Sequence, residues 1–126
     1  MVLVDTSVWI EYFKGNSISL PLEKLIDYNN ICINDLILAE LIPSINHKKE
    51  DDLKEILYNI SKISIDINWN NIIHMQTTNL KNGINKVGIS DLIIAQNAID
   101  NDIEIYAIDK HFRLMSEFHP IKIYIP

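Results

Sequence analysis

The sequence predicts an α/β fold: a central, mostly parallel sheet of about five strands flanked by helices. Three observations carry that expectation. Short apolar runs of strand length recur along the chain, VLV at 2–4, ICI at 31–33 and EIYAI at 104–108. Helical patterns separate them, as the crossovers between parallel strands require. The opening LVDTSVWIEYF and the later EIYAIDKHF both pass from an apolar strand through an aspartate directly into a helix. In open sheets of this class, ligands bind beyond the carboxyl ends of the strands.

Taken in order, Val2–Val4 reads as a buried strand, followed by a helix from Thr6 to about Lys14 that Gly15 and Asn16 close. Pro21 opens a helix reaching about Tyr28, Ile31–Ile33 forms a second strand, and Asp35–Ile45 is a nearly all-apolar helix. KKEDDLKEILYNISKI is amphipathic, with Leu53, Ile56, Leu57 and Ile60 on one face. Ile63–Ile67 alternates like a third strand. Trp69, Ile72, Ile73, Gln76 and Leu80 mark a long helix that stops at Gly83. Ser90 is the expected cap of a helix from Asp91 to about Asp100. Glu104–Ile108 is a strand, Lys110–Phe118 a helix and Ile121–Ile125 a last alternating strand.

At 126 residues, 48% apolar and 22% charged, the chain suits one globular domain over 1–126, with no repeat, linker or low-complexity tail. Its net charge is −6, from 11 Lys and Arg against 17 Asp and Glu. That balance argues against a surface that coats nucleic acid, and is compatible with carboxylates gathered around a cation. No apolar run reaches the roughly 18 residues that cross a bilayer, and no basic-then-apolar leader opens the chain. Cys32, the only cysteine, reads as a reduced core thiol of a cytoplasmic protein.

Four acids stand in awkward places. Asp5 ends the first strand, where it could simply cap the next helix. Glu40 lies in DLILAELI, a helix apolar on nearly every face. A lone carboxylate inside it must be paired, protonated or bound to a cation; a lysine partner or a helix end reaching water would be the ordinary explanations. Asp35 is most simply that helix's cap. Asp91 occupies the first turn of an apolar helix, which the helix dipole favours, but Ser90 leaves it free to point elsewhere. Asp109 repeats the pattern of Asp5, and if their strands are neighbours both carboxylates face one crevice. Glu50, Asp51, Asp52 and Glu55 mix with lysines on a solvated face. As a set, Asp5, Glu40, Asp91 and Asp109 offer oxygen ligands, which select Mg²⁺ or Mn²⁺ over zinc. Without a cation, their like charges would raise one another's pKa.

These residues resemble the PIN-domain nucleases, most closely the VapC-like toxins of VapBC toxin–antitoxin modules. VLVDTSVWIEYF resembles the family's opening strand with its aspartate, LAEL its glutamate-bearing helix, GISDLIIAQNA its third motif and YAIDKHF its fourth. The resemblance spans essentially the whole chain. It implies a PIN-like fold in which Asp5, Asp91 and Asp109 bind the metal and Glu40 binds it directly or through water. Thr6 or Ser7 would hydrogen-bond behind these ligands. The activity implied is that of a Mg²⁺- or Mn²⁺-dependent endoribonuclease, the toxin of a type II module. It would cleave structured cellular RNA (tRNA or rRNA) with metal-activated water, leaving 5′-phosphate and 3′-hydroxyl ends. The implied partners are a VapB-like antitoxin and a second copy of the chain. Two positions depart from the family pattern: Ala107 stands where threonine is frequent, and Lys81 where arginine is frequent.

Lys14, Lys81, Lys86, Lys110 and Arg113 are candidate RNA contacts. His111 reads as a helix-surface residue, and Trp9, Tyr12, Phe13 and Phe112 as core or dimer contacts rather than stacking platforms. Competing classes are a phosphoacceptor receiver domain, a phosphatase with an Asp-x-Asp nucleophile, a housekeeping nuclease and a non-catalytic PIN-like binding module. The receiver needs an acid pair near the first strand and an aspartate ending a middle strand, but Asp51 and Asp52 fall in an amphipathic pattern. The phosphatase needs an acid where Ser7 stands.

Overall fold

The computed structural model of this chain describes residues 1–15 and 19–126, so the expected helix stop at Asn16 lies outside the described residues. Five strands form one sheet: β1 (Val2–Val4), β2 (Ile31–Ile33), β3 (Ser61–Lys62), β4 (Glu104–Tyr106) and β5 (Lys122–Ile123). Their order is β3-β2-β1-β4-β5 and every ladder is parallel. Seven helices among the described residues make the connections: α1 (Thr6–Phe13), α2 (Ser19–Asp27), α3 (Asp35–Lys48), α4 (Asp51–Tyr58), α5 (Trp69–Lys81), α6 (Ile89–Asp100) and α7 (Lys110–Met115).

β1 lies at the centre with all three residues buried, as do those of its neighbour β2. A parallel strand covered on both faces needs an unbroken apolar run rather than alternation. On its other side β1 pairs with β4, with Val4 opposite Tyr106, and Asp5 N–H continues that ladder to Tyr106 O at 2.9 Å. The two strands preceding Asp5 and Asp109 are therefore neighbours, the condition under which both carboxylates face one crevice.

Several expected boundaries move. The amphipathic helix around Leu53 stops at Tyr58, because Ser61–Lys62 is taken by the sheet as β3, beside β2. Ile63–Ile67 is consequently not a strand; Ile63 adds one more bond, to Ile33 O at 2.8 Å, and regular pairing ends there. β4 and β5 are shorter than their apolar runs, and α7 ends at Met115 rather than Phe118. α3 extends to Lys48, and its cap is Asn34, whose Oδ1 accepts from Ile37 N–H. Asp35 is instead an exposed first-turn residue paired with Lys62 at 3.0 Å. α6 has Gly88 at its N-cap position, with no side-chain cap, so Ser90 lies inside the helix. On α5 the buried residues are Ile72, Met75 and Asn79, while Trp69, Ile73 and Leu80 face outward, 58%, 63% and 58% exposed.

A buried pair of amides ties two of these helices together. Asn34 Nδ2 donates to Asn97 Oδ1 at 2.9 Å, and Asn97 Nδ2 donates to Ser64 O at 2.9 Å. Asn34 is 0% and Asn97 3% exposed. Asn34 begins the helix carrying Glu40, and Asn97 lies in the helix carrying Asp91, so the link sets how the two helices sit against each other. Asn97→Leu is expected to destabilise the fold by about 2–3 kcal/mol, because it strands a buried N–H group and a carbonyl. Chemical denaturation of the two proteins measures this.

Candidate metal centre

Asp5 is the one ionisable side chain among the described buried polar residues, 5% exposed. It does cap α1: its Oδ2 accepts from Ser7 N–H at 3.1 Å and from Ser7 Oγ at 2.6 Å. The same Ser7 hydroxyl oxygen accepts from Ile108 N–H at 3.1 Å. One hydroxyl thus bridges the segments that follow β1 and β4. Burial pushes the Asp5 carboxyl upward, opposed by its Ser7 and Thr6 hydrogen bonds and reinforced by the nearby Asp109.

Asp109 caps α7 in the same manner, accepting from His111 N–H at 2.9 Å. That turn swings the His111 ring back over the acids. His111 Nδ1 lies 3.2 Å from Asp109 Oδ1 and 3.7 Å from Asp91 Oδ2. The three side chains each bring one ligand atom within 4.8 Å of the others. His111 is therefore not a plain helix-surface residue: its Nδ1 is buried and makes no hydrogen bond of acceptable geometry. The Asp-x-His spacing across a capping aspartate was the available signal, since such a cap folds residue i+2 toward the carboxylate.

Asp91 stands in the first turn of α6. Its carboxyl is pushed up to about 6, first by desolvation, then by the negative charges of Asp5 and Asp109, with His111 opposing and Glu40 adding a smaller push. Glu40 differs from expectation. α3 buries Ile37, Leu38, Leu41, Ile42 and Ile45, but Ala39 and Glu40 lie on its open side. Glu40 is held by Thr6 Oγ1, which donates to its Oε1 at 3.1 Å. Partial burial raises its pKa, the Thr6 bond lowers it, and Asp5 raises it further. The four acids thus act electrostatically on one another, while Asp91, Asp109 and His111 form the tight group. Asp5 and Glu40 stand beside it, oriented by Ser7 and Thr6.

This group suits a divalent cation. Two oxygens and an orphaned ring nitrogen converge where burial first, and then the charges of Asp5, Asp109 and Glu40, disfavour the ionised Asp91 carboxylate. Of the basic candidates, Lys14 shares a groove with Glu40, and Lys110 and Arg113 line a recess with Asp109. Lys81 is exposed at the end of α5 and Lys86 in the loop after it, with φ 65°. Trp9 and Phe112 are buried core residues, and Tyr12 and Phe13 pack against that core.

Comparison with solved structures returns the same architecture. The chain superposes on VapBC2 from Rickettsia felis, bound to a DNA fragment from its promoter, with TM-score 0.76, 20% identity and 98% of each chain covered. For DNA-bound VapBC from Salmonella typhimurium the values are 0.75 and 17%, covering 98% of this chain and 96% of that one. For FitAcB from Neisseria gonorrhoeae they are 0.73 and 15%, covering 100% and 98%. No curated protein matches the chain in sequence. The sequence profile of the PIN domain matches residues 2–117. With that match spanning nearly the whole chain, over a five-stranded parallel sheet with acids grouped at its carboxyl end, the protein belongs to the PIN domain family.

Proposed function

We propose that the chain is a metal-dependent endoribonuclease, the cytoplasmic VapC-like toxin of a type II toxin–antitoxin module, acting on structured RNA such as tRNA or rRNA. The observation that carries this is the convergence of Asp91, Asp109 and His111 beside Asp5 and Glu40, in a PIN domain. Asp91 and Asp109 would hold Mg²⁺ or Mn²⁺, with Asp5 as a third ligand and Glu40 reaching the ion directly or through water. A bound divalent ion supplies Lewis acidity toward a phosphate oxygen and lowers the pKa of a coordinated water. Ser7 fixes the Asp5 carboxylate and Thr6 fixes Glu40, so neither must be ordered when substrate arrives. Lys14, Lys110 and Arg113 border the acids and would neutralise phosphates that the acidic surface otherwise repels; Lys81 and Lys86 would contact RNA further out.

The fold's solved neighbours include VapBC structures and a toxin–antitoxin complex from Klebsiella pneumoniae, which supports a VapB-like antitoxin as partner. A groove of about 250 Å³, lined by Ile10, Phe13, Leu41 and Ile45 and bordered by Lys14 and Glu40, offers an antitoxin both an apolar floor and a route to the acids. Trp69, Ile73 and Leu80 on α5 supply an apolar surface for a second copy of the chain. No helix of the described residues is long and apolar enough to cross a membrane. Against the receiver alternative, Asp5 at the end of the central strand has no second acid beside it in sequence, and Asp51 and Asp52 are exposed in the first turn of α4 rather than at a strand end.

The test is incubation of the purified chain, freed of antitoxin, with total RNA plus Mn²⁺ or Mg²⁺, and in parallel with chelator. Discrete fragments bearing 5′-phosphate and 3′-hydroxyl ends, formed only with metal, are expected. Intact RNA with both metals would overturn the proposal in favour of a binding module.

A further inference from the structure

We infer that His111 Nδ1 is itself a ligand of the cation held by Asp91 and Asp109, and that this nitrogen makes the site prefer Mn²⁺ to Mg²⁺. The inference rests on the metal-centre proposal above and adds to it a donor of a different chemical kind. The imidazole nitrogen is buried, has no hydrogen-bond partner, and faces two carboxylate oxygens at 3.2 and 3.7 Å. Buried ring nitrogens without partners are uncommon, since an unsatisfied polar atom is costly. If the ring carries its hydrogen on Nε2, the Nδ1 lone pair points at negative oxygens, an arrangement only a cation between them makes favourable. The spacings suit such a cation. Ligand atoms at roughly 2.1 Å from an octahedral ion stand about 3 Å apart when adjacent and about 4.2 Å apart when opposite, a range that holds both distances here, the shorter near its lower end.

The remainder of the geometry explains why this nitrogen is held ready. His111 N–H is bonded to the Asp109 carboxylate, so the residue that supplies an oxygen also anchors the backbone of the residue that supplies the nitrogen. The ring is only 21% exposed at its side chain, which restricts its swing into solvent. Mg²⁺ takes oxygen donors and keeps its waters, whereas imidazole suits transition metals, and nitrogen donation raises their affinity relative to Mg²⁺. An oxygen-only site leaves Mg²⁺ and Mn²⁺ nearly equivalent, whereas a mixed set of oxygen and nitrogen donors separates them.

Metal-stripped full-length protein and His111→Ala are titrated with Mn²⁺ and, in competition, with Mg²⁺, following free Mn²⁺ by electron paramagnetic resonance. Pulsed measurements on bound Mn²⁺ report a directly bonded ¹⁴N. Wild type is expected to show that nitrogen coupling; His111→Ala is expected to lose it and to bind Mn²⁺ at least tenfold more weakly, with Mg²⁺ changed less than threefold. Mn²⁺ bound to wild type without nitrogen coupling overturns the inference and leaves the metal centre standing; an imidazolium paired with the acids would give that result. An unchanged Mn²⁺ to Mg²⁺ ratio in His111→Ala overturns it too. Wild type that binds neither ion sinks the metal-centre proposal itself. The coupling measurement on wild type needs no variant, so a misfolded His111→Ala does not remove the test.

Discussion

Asp91→Asn is expected to abolish RNA cleavage while making the metal-free protein harder to unfold. The two effects have one cause. Asp91 is pressed first by its own burial and then by the negative charges of Asp5, Asp109 and Glu40. An amide of nearly the same shape removes that repulsion and still fits the space. The same change removes a charged oxygen from the group that converges with Asp109 and His111. Losing one charge-stabilising group from a prearranged site typically costs 10²–10³ in rate, and loss of a metal ligand should reach at least about 10³. Gel assays of RNA cleavage at saturating Mn²⁺ give the first effect, and thermal denaturation in chelator gives the second. A variant both inactive and less stable would show that Asp91 serves the fold rather than the chemistry. An active variant would remove it from the site altogether.

How far the architecture was legible depended on burial. β1 and β2 were readable to the residue because both faces of a central parallel strand are covered, and apolar runs such as VLV and ICI leave little choice. The outer strands were not. β3 is Ser61–Lys62, both exposed, so it carries no hydrophobic signature and was read as the tail of a helix. Its place is set by ladder bonds to β2, which are non-local. α5 shows a related mixture: of Trp69, Ile72, Ile73, Gln76 and Leu80, Ile72 is buried and Gln76 half-buried, while Trp69, Ile73 and Leu80 face outward and the core also takes Met75 and Asn79. Periodicity locates a helix but does not say which of two apolar faces the protein itself covers.

The site divides along similar lines. Asp5 and Asp109 were legible as a pair because each interrupts the same strand-to-helix pattern, and β1 and β4 do run side by side. The apolar setting of Glu40 in sequence implies burial, which the structure does not show. It sits on the open face of α3, and its distinction is a bond from Thr6, 34 residues away in sequence, not burial within an apolar helix. His111 carries no comparable signal in the sequence, because a histidine in the first turn of a surface helix ordinarily reaches water. Only the capping turn at Asp109 brings it back to the acids. Nor does Asn34 differ from Asp35 as a cap candidate by residue type. The buried partner Asn97 distinguishes them.

Adding Mn²⁺ is expected to raise the unfolding temperature strongly at pH 7.5 and little at pH 5, and this difference follows from Asp91. Its carboxyl sits at about 6 in the metal-free fold against 3.8 unperturbed. Below pH 4 both the folded and unfolded chains hold this proton, and the stability it protects is fully present. As pH climbs from about 4 to about 6 the unfolded chain has released the proton and the folded chain retains it, so each increment favours unfolding. Above 6 the loss is complete and the folded chain carries a repelling carboxylate. Asp5 and Glu40, both raised chiefly by burial, add in the same direction. A cation binds the ionised form alone, so at pH 7.5 it meets a site strained by its own charge, and at pH 5 it must first displace protons. At one hundred times its Kd a ligand that binds only the folded state contributes about 2.7 kcal/mol, roughly 10 °C for a chain of this length. Thermal scans with and without Mn²⁺ at the two pH values measure the difference, and Asp91→Asn should flatten it. An equal shift at both pH values would place the ion on groups other than these acids. A shift that persists in Asp91→Asn would exclude Asp91 from the ion's ligands, whatever the cleavage assay shows.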